Sequence, residues 1–280
     1  IELEVGYKLS VDKVNLSFLA NASYVKNEIK NLGNQTGYID KESLPTLGTV
    51  SRNQNGYPIG YFFGYKAIGV FQTQEEIDNY ISPATGKPIQ PNAVPGDTKF
   101  EDLNGDGVIS DDNEDRTMIG KPNPDWMVGL TVAADWNGFD LSAFFQGSFG
   151  ADVFDALRRY ELAAVNYTSD ALERWTGPGT SNSMPRIVLG DTPKNFRPST
   201  LLVHDASFLR LRNLQVGYTL PAQLTRKAYI QRLRFYASFD NLLTITGYKG
   251  MDPEIGSTMG IDKGVYPQAR VYTFGLNLTF

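Results

Sequence analysis

The feature that most constrains this chain is a period-two alternation of apolar and polar residues, sustained over segments of roughly ten residues. It is clearest at residues 270–280. Tyr272, Phe274, Leu276, Leu278 and Phe280 fall on one parity there, and Thr273, Gly275, Asn277 and Thr279 on the other. Successive side chains of a strand point to opposite faces, so such a segment folds as a strand with one apolar face. Leu233, Phe235, Ala237 and Phe239 repeat the pattern, as do Leu214, Val216, Tyr218 and Leu220. Val128, Leu130, Val132 and Ala134 precede Asn137-Gly138, and Phe139, Leu141, Ala143 and Phe145 follow it. Asn-Gly between two alternating runs is the strongest short hairpin signal. Leu3, Val5, Tyr7 and Leu9 form a similar pair with Val14, Leu16, Phe18, Ala20 and Ala22, around a turn at residues 11–13. The sum is an all-β chain of about seven strands.

Strand length then separates the architectures. Globular strands usually run about 5–6 residues, whereas a tilted membrane strand needs about 9–11. The connections also sort by length. Those at residues 11–13, 137–138 and 221–230 are short, and those at 26–125, 150–204 and 246–268 are long. Short turns at one end and long loops at the other are the arrangement of an outer-membrane barrel. The mean hydropathy of −0.29 does not oppose this, because lipid-facing and water-facing residues alternate and average out. No run approaches the ~18 consecutive apolar residues of a spanning helix. An aromatic content of 12% with a net charge of −5 argues against global disorder. The expected fold is a transmembrane antiparallel β-barrel with long extracellular loops containing short helices. A long-stranded soluble barrel shares the alternation, with its apolar face turned inward. In the loops, Thr73 and Glu76 form a capping box that predicts a helix over Gln74–Ile81, stopped before Pro83. Val153–Ala164 has helical composition and spacing, Ser169 caps a short helix through Trp175, and Pro221 starts another.

The residue inventory narrows the chemistry. There is no cysteine and one histidine, His204, which excludes thiolate chemistry, disulfides and multi-histidine metal sites. A Ser-His-Asp triad would have to use His204, and no serine partner stands out, so no catalytic residue, and no organic cofactor, is expected. A sequence pI near 5.0 with scattered Lys and Arg gives no nucleic-acid footprint. The sharpest motif is Asp102-Leu103-Asn104-Gly105-Asp106-Gly107-Val108, the opening of an EF-hand-type loop. Oxygen ligands recur at positions 1, 3 and 5, glycine at 6 permits the turn, and the carbonyl of residue 7 adds a ligand. The expected Ca2+ ligands are Asp102, Asn104, Asp106, the Val108 carbonyl and Asp112. Asp111, Glu114 and Asp115 also lie near the closing position, and a polar glycine-rich turn without metal is the other reading. Arg158, Arg159, Tyr160 and Trp175 form a basic and aromatic loop set. They read either as a surface for sugar or peptide or as packing residues with solvated guanidinium heads. Arg210 and Arg212 share the parity of the Leu214 face. They either meet lipid phosphates at the membrane edge or are turned inward by a β-bulge.

Several strings together are specific. They are Phe100–Ile109, Asp115-Arg116-Thr117, Ile119-Gly120, Pro122-Asn123-Pro124, Arg174-Trp175-Thr176, Phe208–Leu214, Gly217–Pro221, Asp240-Asn241-Leu242, Gly250–Glu254 and the terminal aromatic strand. On these the sequence resembles the C-terminal part of a TonB-dependent outer-membrane transporter of the SusC/RagA type. The resemblance implies a barrel of about 22 strands to which this chain gives the last seven or so. The plug domain, the TonB-contacting segment and the earlier strands would lie upstream of Ile1, where the chain opens directly in strand alternation. It also implies outer-membrane lipid, TonB and a SusD-like surface lipoprotein as partners, and an oligosaccharide or peptide as cargo, imported without bond-making chemistry. Phe280 would end the signal read by the assembly machinery. A soluble secreted carbohydrate-binding protein with a calcium-braced loop is the alternative reading, and a hydrolase on such a scaffold a third.

Overall fold

The computed structural model describes residues 1–111, 113–162, 165–254 and 259–280. Seven long strands form one antiparallel sheet in sequence order: β1 (Glu2–Val11), β2 (Val14–Tyr24), β3 (Trp126–Trp136), β4 (Phe139–Phe149), β5 (Phe208–Thr219), β6 (Arg232–Thr246) and β7 (Val271–Thr279). Each pairs with the next, and β1 and β7 each have one neighbour. The short connections are at residues 12–13, 137–138 and 220–231, and the long ones lie together at the opposite rim. Asn137 takes a positive φ of 49° at the β3–β4 turn, a conformation asparagine tolerates.

The register makes one face of this sheet apolar throughout. Leu3 is opposite Ala22, Ala22 opposite Val128 and Val128 opposite Gly147. At mid-height Tyr7, Phe18, Val132, Ala143 and Leu214 form a row. Phe239 and Tyr272 continue it across β6 and β7. No charged, amide or aliphatic hydroxyl side chain interrupts this face in the paired register. The other face carries Glu4, Lys8, Asn15, Ser17, Thr131, Asp140, Gln146, Asn213, Arg234, Thr273 and Asn277.

Aromatic residues band the apolar face at both rims. Tyr24 and Trp126 meet at 4.9 Å on the loop side. On the turn side Trp136 stacks on Phe139 at 6.2 Å, and Phe139 meets Tyr218 at 4.4 Å with the rings tilted. Trp126 and Trp136 stand ten residues apart on β3, about 33 Å along a strand at ~3.3 Å per residue. Tilted by about 40°, that spans ~25 Å, the height of the apolar band of an outer-membrane barrel. Much of this surface is exposed: Leu3 is 62% accessible, Phe274 75% and Leu276 58%.

The parity change along β5 is absorbed by a bulge. Leu209 and Leu211 are odd-numbered, whereas Leu214, Val216 and Tyr218 are even, yet all five lie on the apolar face. The β4 register steps from Phe144–Asn213 to Phe145–Leu211, which leaves Arg212 as the inserted residue. On β6 the matching irregularity falls at Asn241, with φ 53°. The bulge reading of Arg210 and Arg212 holds and the lipid-phosphate reading does not, because both side chains stand on the polar face.

The packed interior is in the loops. Leu44, Val50, Phe62, Phe154, Ala156, Leu202 and Ile261 form one buried cluster, and Tyr160, Ala171 and Phe196 another. Small sheets carry them, among them residues 38–40, 51–54, 61–65 and 116–120 in one and residues 152–155, 203–205 and 261–262 in a second. Tyr61–Tyr65 is buried on both faces. The expected helix at Gln74–Ile81 forms over Gln74–Asp78. Thr73 accepts from the Glu76 N–H, and Glu76 reaches back to Gln72 N–H. A helix also follows Pro221, at Ala222–Thr225. The expectation for Val153–Ala164 is overturned: Asp152–Asp155 is a strand. Phe154 is fully buried there between Val203 and Ile261, a place a β-rich side chain fills on both edges. Asp155 then accepts from Leu157 and Arg158 N–H and turns the chain. Residues 163–164 lie outside the described residues. Ser169 does not cap. It lies inside a 3-10 turn, Ser169–Glu173, and the capping position falls on Thr168, whose hydroxyl is engaged with Tyr160 instead.

Candidate functional site

The loop rim is joined to the polar wall by two arginines. Arg210 is 2% accessible. Its Nη2 donates to Asp252 at 2.5 Å, Nη1 to Glu254 at 2.9 Å and Nε to Thr244 at 2.9 Å. Arg212 forks onto Glu254 at 2.5 and 2.7 Å and reaches Gln146 at 2.6 Å and Asn241 at 3.2 Å. Burial would raise the Asp252 carboxyl. The Gln268 and Glu254 N–H donors and the Arg210 guanidinium outweigh it and hold the group below the usual carboxylate range. The segment after β6 is therefore pinned inward, over the polar face. Sequence reasoning missed this pairing. The available signal was two matched spacings of opposite charge, Arg210-x-Arg212 and Asp252-x-Glu254.

A second ion pair crosses the wall nearer the turns. Arg234 on β6 donates to Asp140 on β4 at 2.9 Å. It spans the intervening strand at Gly217. A Cβ there would sit 2.5 Å from Arg234 Nη2 and 2.6 Å from the Asp140 oxygens, so only glycine leaves the pair room.

The Asp102 loop closes through Asp115. That carboxylate is fully buried and accepts from Leu103 and Ser110 N–H, both at 3.0 Å. Asp102 accepts from Gly105 and Gly107 N–H at 2.8 Å, Asn104 from Asp106 N–H at 3.0 Å, and Asp106 from Val108 N–H at 2.8 Å. Asn104 also donates to Glu114. Among the described residues no group of three acidic or histidine side chains is placed to hold a metal. Asp112 lies outside the described residues.

The basic and aromatic loop set divides. Arg158 pairs with Asp155 at 3.0 Å and with Asp170. Arg159 pairs with Glu161 and donates to the Pro45 carbonyl at 2.7 Å. Tyr160 is 1% accessible, against Phe196 and Tyr167. Trp175 donates to Gln72 at 3.1 Å, and its ring fills the space over Gly96, where a Cβ would lie 2.4 Å away. Arg158 and Tyr160, with His204 and Lys249, border a cavity of about 320 Å3; Arg159 and Trp175 do not. His204 lies 3.7 Å from Asp155. Burial would raise the Asp155 carboxyl, but His204 and Arg158 bring it below its ordinary value.

One carboxyl in this layer moves the other way. Burial pushes Asp191 up to about 6, despite the Phe196 and Asn195 N–H groups that it accepts. Its folded pKa thus exceeds an unfolded value near 3.9. Its contribution to stability is full below about pH 4 and is lost as pH rises to about 6, on the order of 2–3 kcal/mol for two pH units. Protection of residues 189–198 against hydrogen exchange, taken relative to the intrinsic exchange rate at each pH, should fall between pH 4 and 7, and Asp191→Asn should flatten that fall. A fall unchanged in the variant would assign it to another group.

Among the described residues no helix is long and apolar enough to cross a membrane. The class is defined by the sheet: long antiparallel strands with one apolar face banded by aromatics and one polar face are the wall of an outer-membrane β-barrel. No family model matches the chain. It is 34% identical over 238 residues to TonB-dependent receptor P3 of Formosa agariphila, covering 81% of this chain and 23% of that protein. It is 30% identical over 263 residues to TonB-dependent receptor SusC of Bacteroides thetaiotaomicron, covering 93% and 24%. A solved structure of the RagAB peptide transporter superposes with a TM-score of 0.73 at 26% identity, over all of this chain and 28% of the other. The chain spans about a quarter of the length of these curated relatives. These likenesses and the sheet place it in the family of SusC/RagA-type TonB-dependent outer-membrane receptors, as a segment of the barrel. The soluble-protein and hydrolase readings fall away, since the matched proteins are receptors and transporters and the apolar face is turned outward.

Proposed function

We propose that the chain forms wall and outer loops of a TonB-dependent importer that takes up an oligosaccharide or peptide with a SusD-like surface lipoprotein. The carrying observation is the sheet itself: an uninterrupted apolar face banded by aromatics, a polar opposite face, and a packed loop layer pinned over that polar face. Likeness to SusC and to the RagAB peptide transporter supports the coupling to TonB and to a lipoprotein. Deleting the gene should abolish growth of the host on one class of glycan or peptide, and loss of TonB should reproduce the defect. Unimpaired growth on every glycan and peptide tested would contradict the reading.

Calcium bracing of the Asp102 loop is a separate proposal, supported by the order of oxygen-bearing residues at Asp102, Asn104 and Asp106 with glycine at Gly107. The Val108 carbonyl and Asp112 would complete the ligand set. Calcium at about 1 mM, the weak end of such sites, should slow proteolysis of residues 98–117 severalfold, and Asp102→Asn should abolish the protection. Equal cleavage with and without calcium would contradict it.

A further inference from the structure

The loop sheet of residues 116–120, 61–65, 51–54 and 38–40 carries a row of stacked planes across its strands. Arg116 lies over Phe63 at 4.3 Å, Arg52 over the same ring at 3.7 Å, and Arg52 also over Tyr38 at 4.1 Å. Each strand gives one plane, in the order of the sheet. Phe63 and Arg52 are buried, at 3% and 7% accessible. Tyr38 ends the row on the edge strand, which has one neighbour, and is 40% accessible. Arg52 covers the sheet side of its ring, and the other face is turned to solvent. Stacking on a guanidinium fixes the plane of the ring, so little freedom is lost when a ligand stacks on the open face.

Polar groups flank that ring. The register sets Asp40 opposite Arg52 and Gln54 opposite Tyr38, which puts all four side chains on one face. Arg52 Nε donates to Asp40 Oδ1 at 2.7 Å. The other oxygen, Oδ2, has only the Thr49 hydroxyl at 3.4 Å among the described residues, and the Asp40 side chain is 42% accessible. Gln54 accepts from the Tyr61 hydroxyl at 2.6 Å through Oε1, and its Nε2 donates to no described residue. An open ring face, a carboxylate acceptor and an amide donor thus stand together. Arg52 behind the ring disfavours a second cation in front of it and already neutralises Asp40. An aromatic ligand would leave Oδ2 and Nε2 without bonds. A pyranose brings polarised C–H groups to the negative face of the ring and hydroxyls that both donate and accept.

We infer that Tyr38 is a stacking platform for one neutral pyranose unit of an oligosaccharide, with Asp40 Oδ2 accepting from and Gln54 Nε2 donating to its hydroxyls. The inference rests on the import reading for its cargo and narrows that cargo to a sugar. The two fail separately, because binding is read on purified receptor without TonB or uptake, and growth is read on the gene.

The test is calorimetry on the full-length receptor in detergent, with maltohexaose, laminarihexaose, xylohexaose and mannohexaose, and with trilysine as a basic peptide. At least one hexasaccharide should bind, and at saturation it should slow hydrogen exchange of residues 36–42 several-fold in the parent receptor. Tyr38→Ala should lower that affinity ten-fold or more, and Tyr38→Phe should stay within two-fold, with heat-modifiable gel mobility native in both. Binding of no hexasaccharide, tighter binding of trilysine than of any sugar, or sugar binding that leaves exchange at residues 36–42 unchanged overturns the inference, and none of these needs a variant to fold. A folded Tyr38→Ala receptor with affinity within two-fold of the parent overturns it as well.

Discussion

Replacing Arg210 with methionine should free the segment after β6 from the barrel wall. The substitution keeps the stem but removes the donors to Asp252, Glu254 and Thr244. Asp252, 9% accessible at its side chain, would remain buried with its anion still stabilised by two N–H groups but without its cation. Breaking one partner of a buried pair costs about 3–5 kcal/mol. Because Asp252 and Glu254 are in a loop, the effect should appear as local opening. Hydrogen exchange of residues 247–254 in the full receptor should accelerate by two or more orders of magnitude, with the exchange of β3 and β4 unchanged. Unaltered protection of that loop would show that Tyr248, bonded to Asp262, holds it without the arginine clamp.

The second large effect concerns the two faces of β3. Val132 stands on the apolar face, opposite Phe18 and Ala143, and Thr131 on the polar face, opposite Leu19 and Phe144. Arginine at mid-height of a lipid-facing surface costs about 2–4 kcal/mol, whereas lumen substitutions are tolerated. Val132→Arg should therefore lower the unfolding free energy of the receptor by about that amount, and Thr131→Arg by less than 1 kcal/mol. Denaturant titration in lipid vesicles measures both. Equal costs at the two positions would remove the assignment of faces.

The strands were legible because lipid imposes a strict rule on them. Every second residue of β1, β4 and β7 must be apolar, and nothing else in the fold competes with that demand. The bulge on β5 was visible only as an ambiguity, since Arg210, Arg212 and Leu214 share a parity that a regular strand would place on one side. The Asp252 and Glu254 partners lie 42 residues from Arg210 and Arg212, and period and spacing carry no information across that distance. The loop layer was the least legible part. Tyr61–Tyr65 reads as an apolar run without alternation, since both of its faces are buried. Val153–Ala164 has helical spacing, but pairing of Phe154 with two neighbouring segments outweighs that local preference. For Arg158 and Tyr160 the sequence supplied residue types suited to binding, and the ion pairs and packing that occupy them depend on contacts that only the folded loops create.

The central claim is that this sheet is a membrane wall with its alternating faces turned to lipid and to water. The chain has no cysteine, so single spin labels can be placed at Val132→Cys and Thr131→Cys without removing any from this segment. Power-saturation measurements on the full receptor in vesicles should find the label at 132 accessible to molecular oxygen and shielded from a water-soluble nickel chelate. The label at 131 should show the lower oxygen accessibility of the two and no lipid-depth dependence. Nickel accessibility at 132 equal to that of a free loop label, or oxygen accessibility greater at 131 than at 132, would contradict the account.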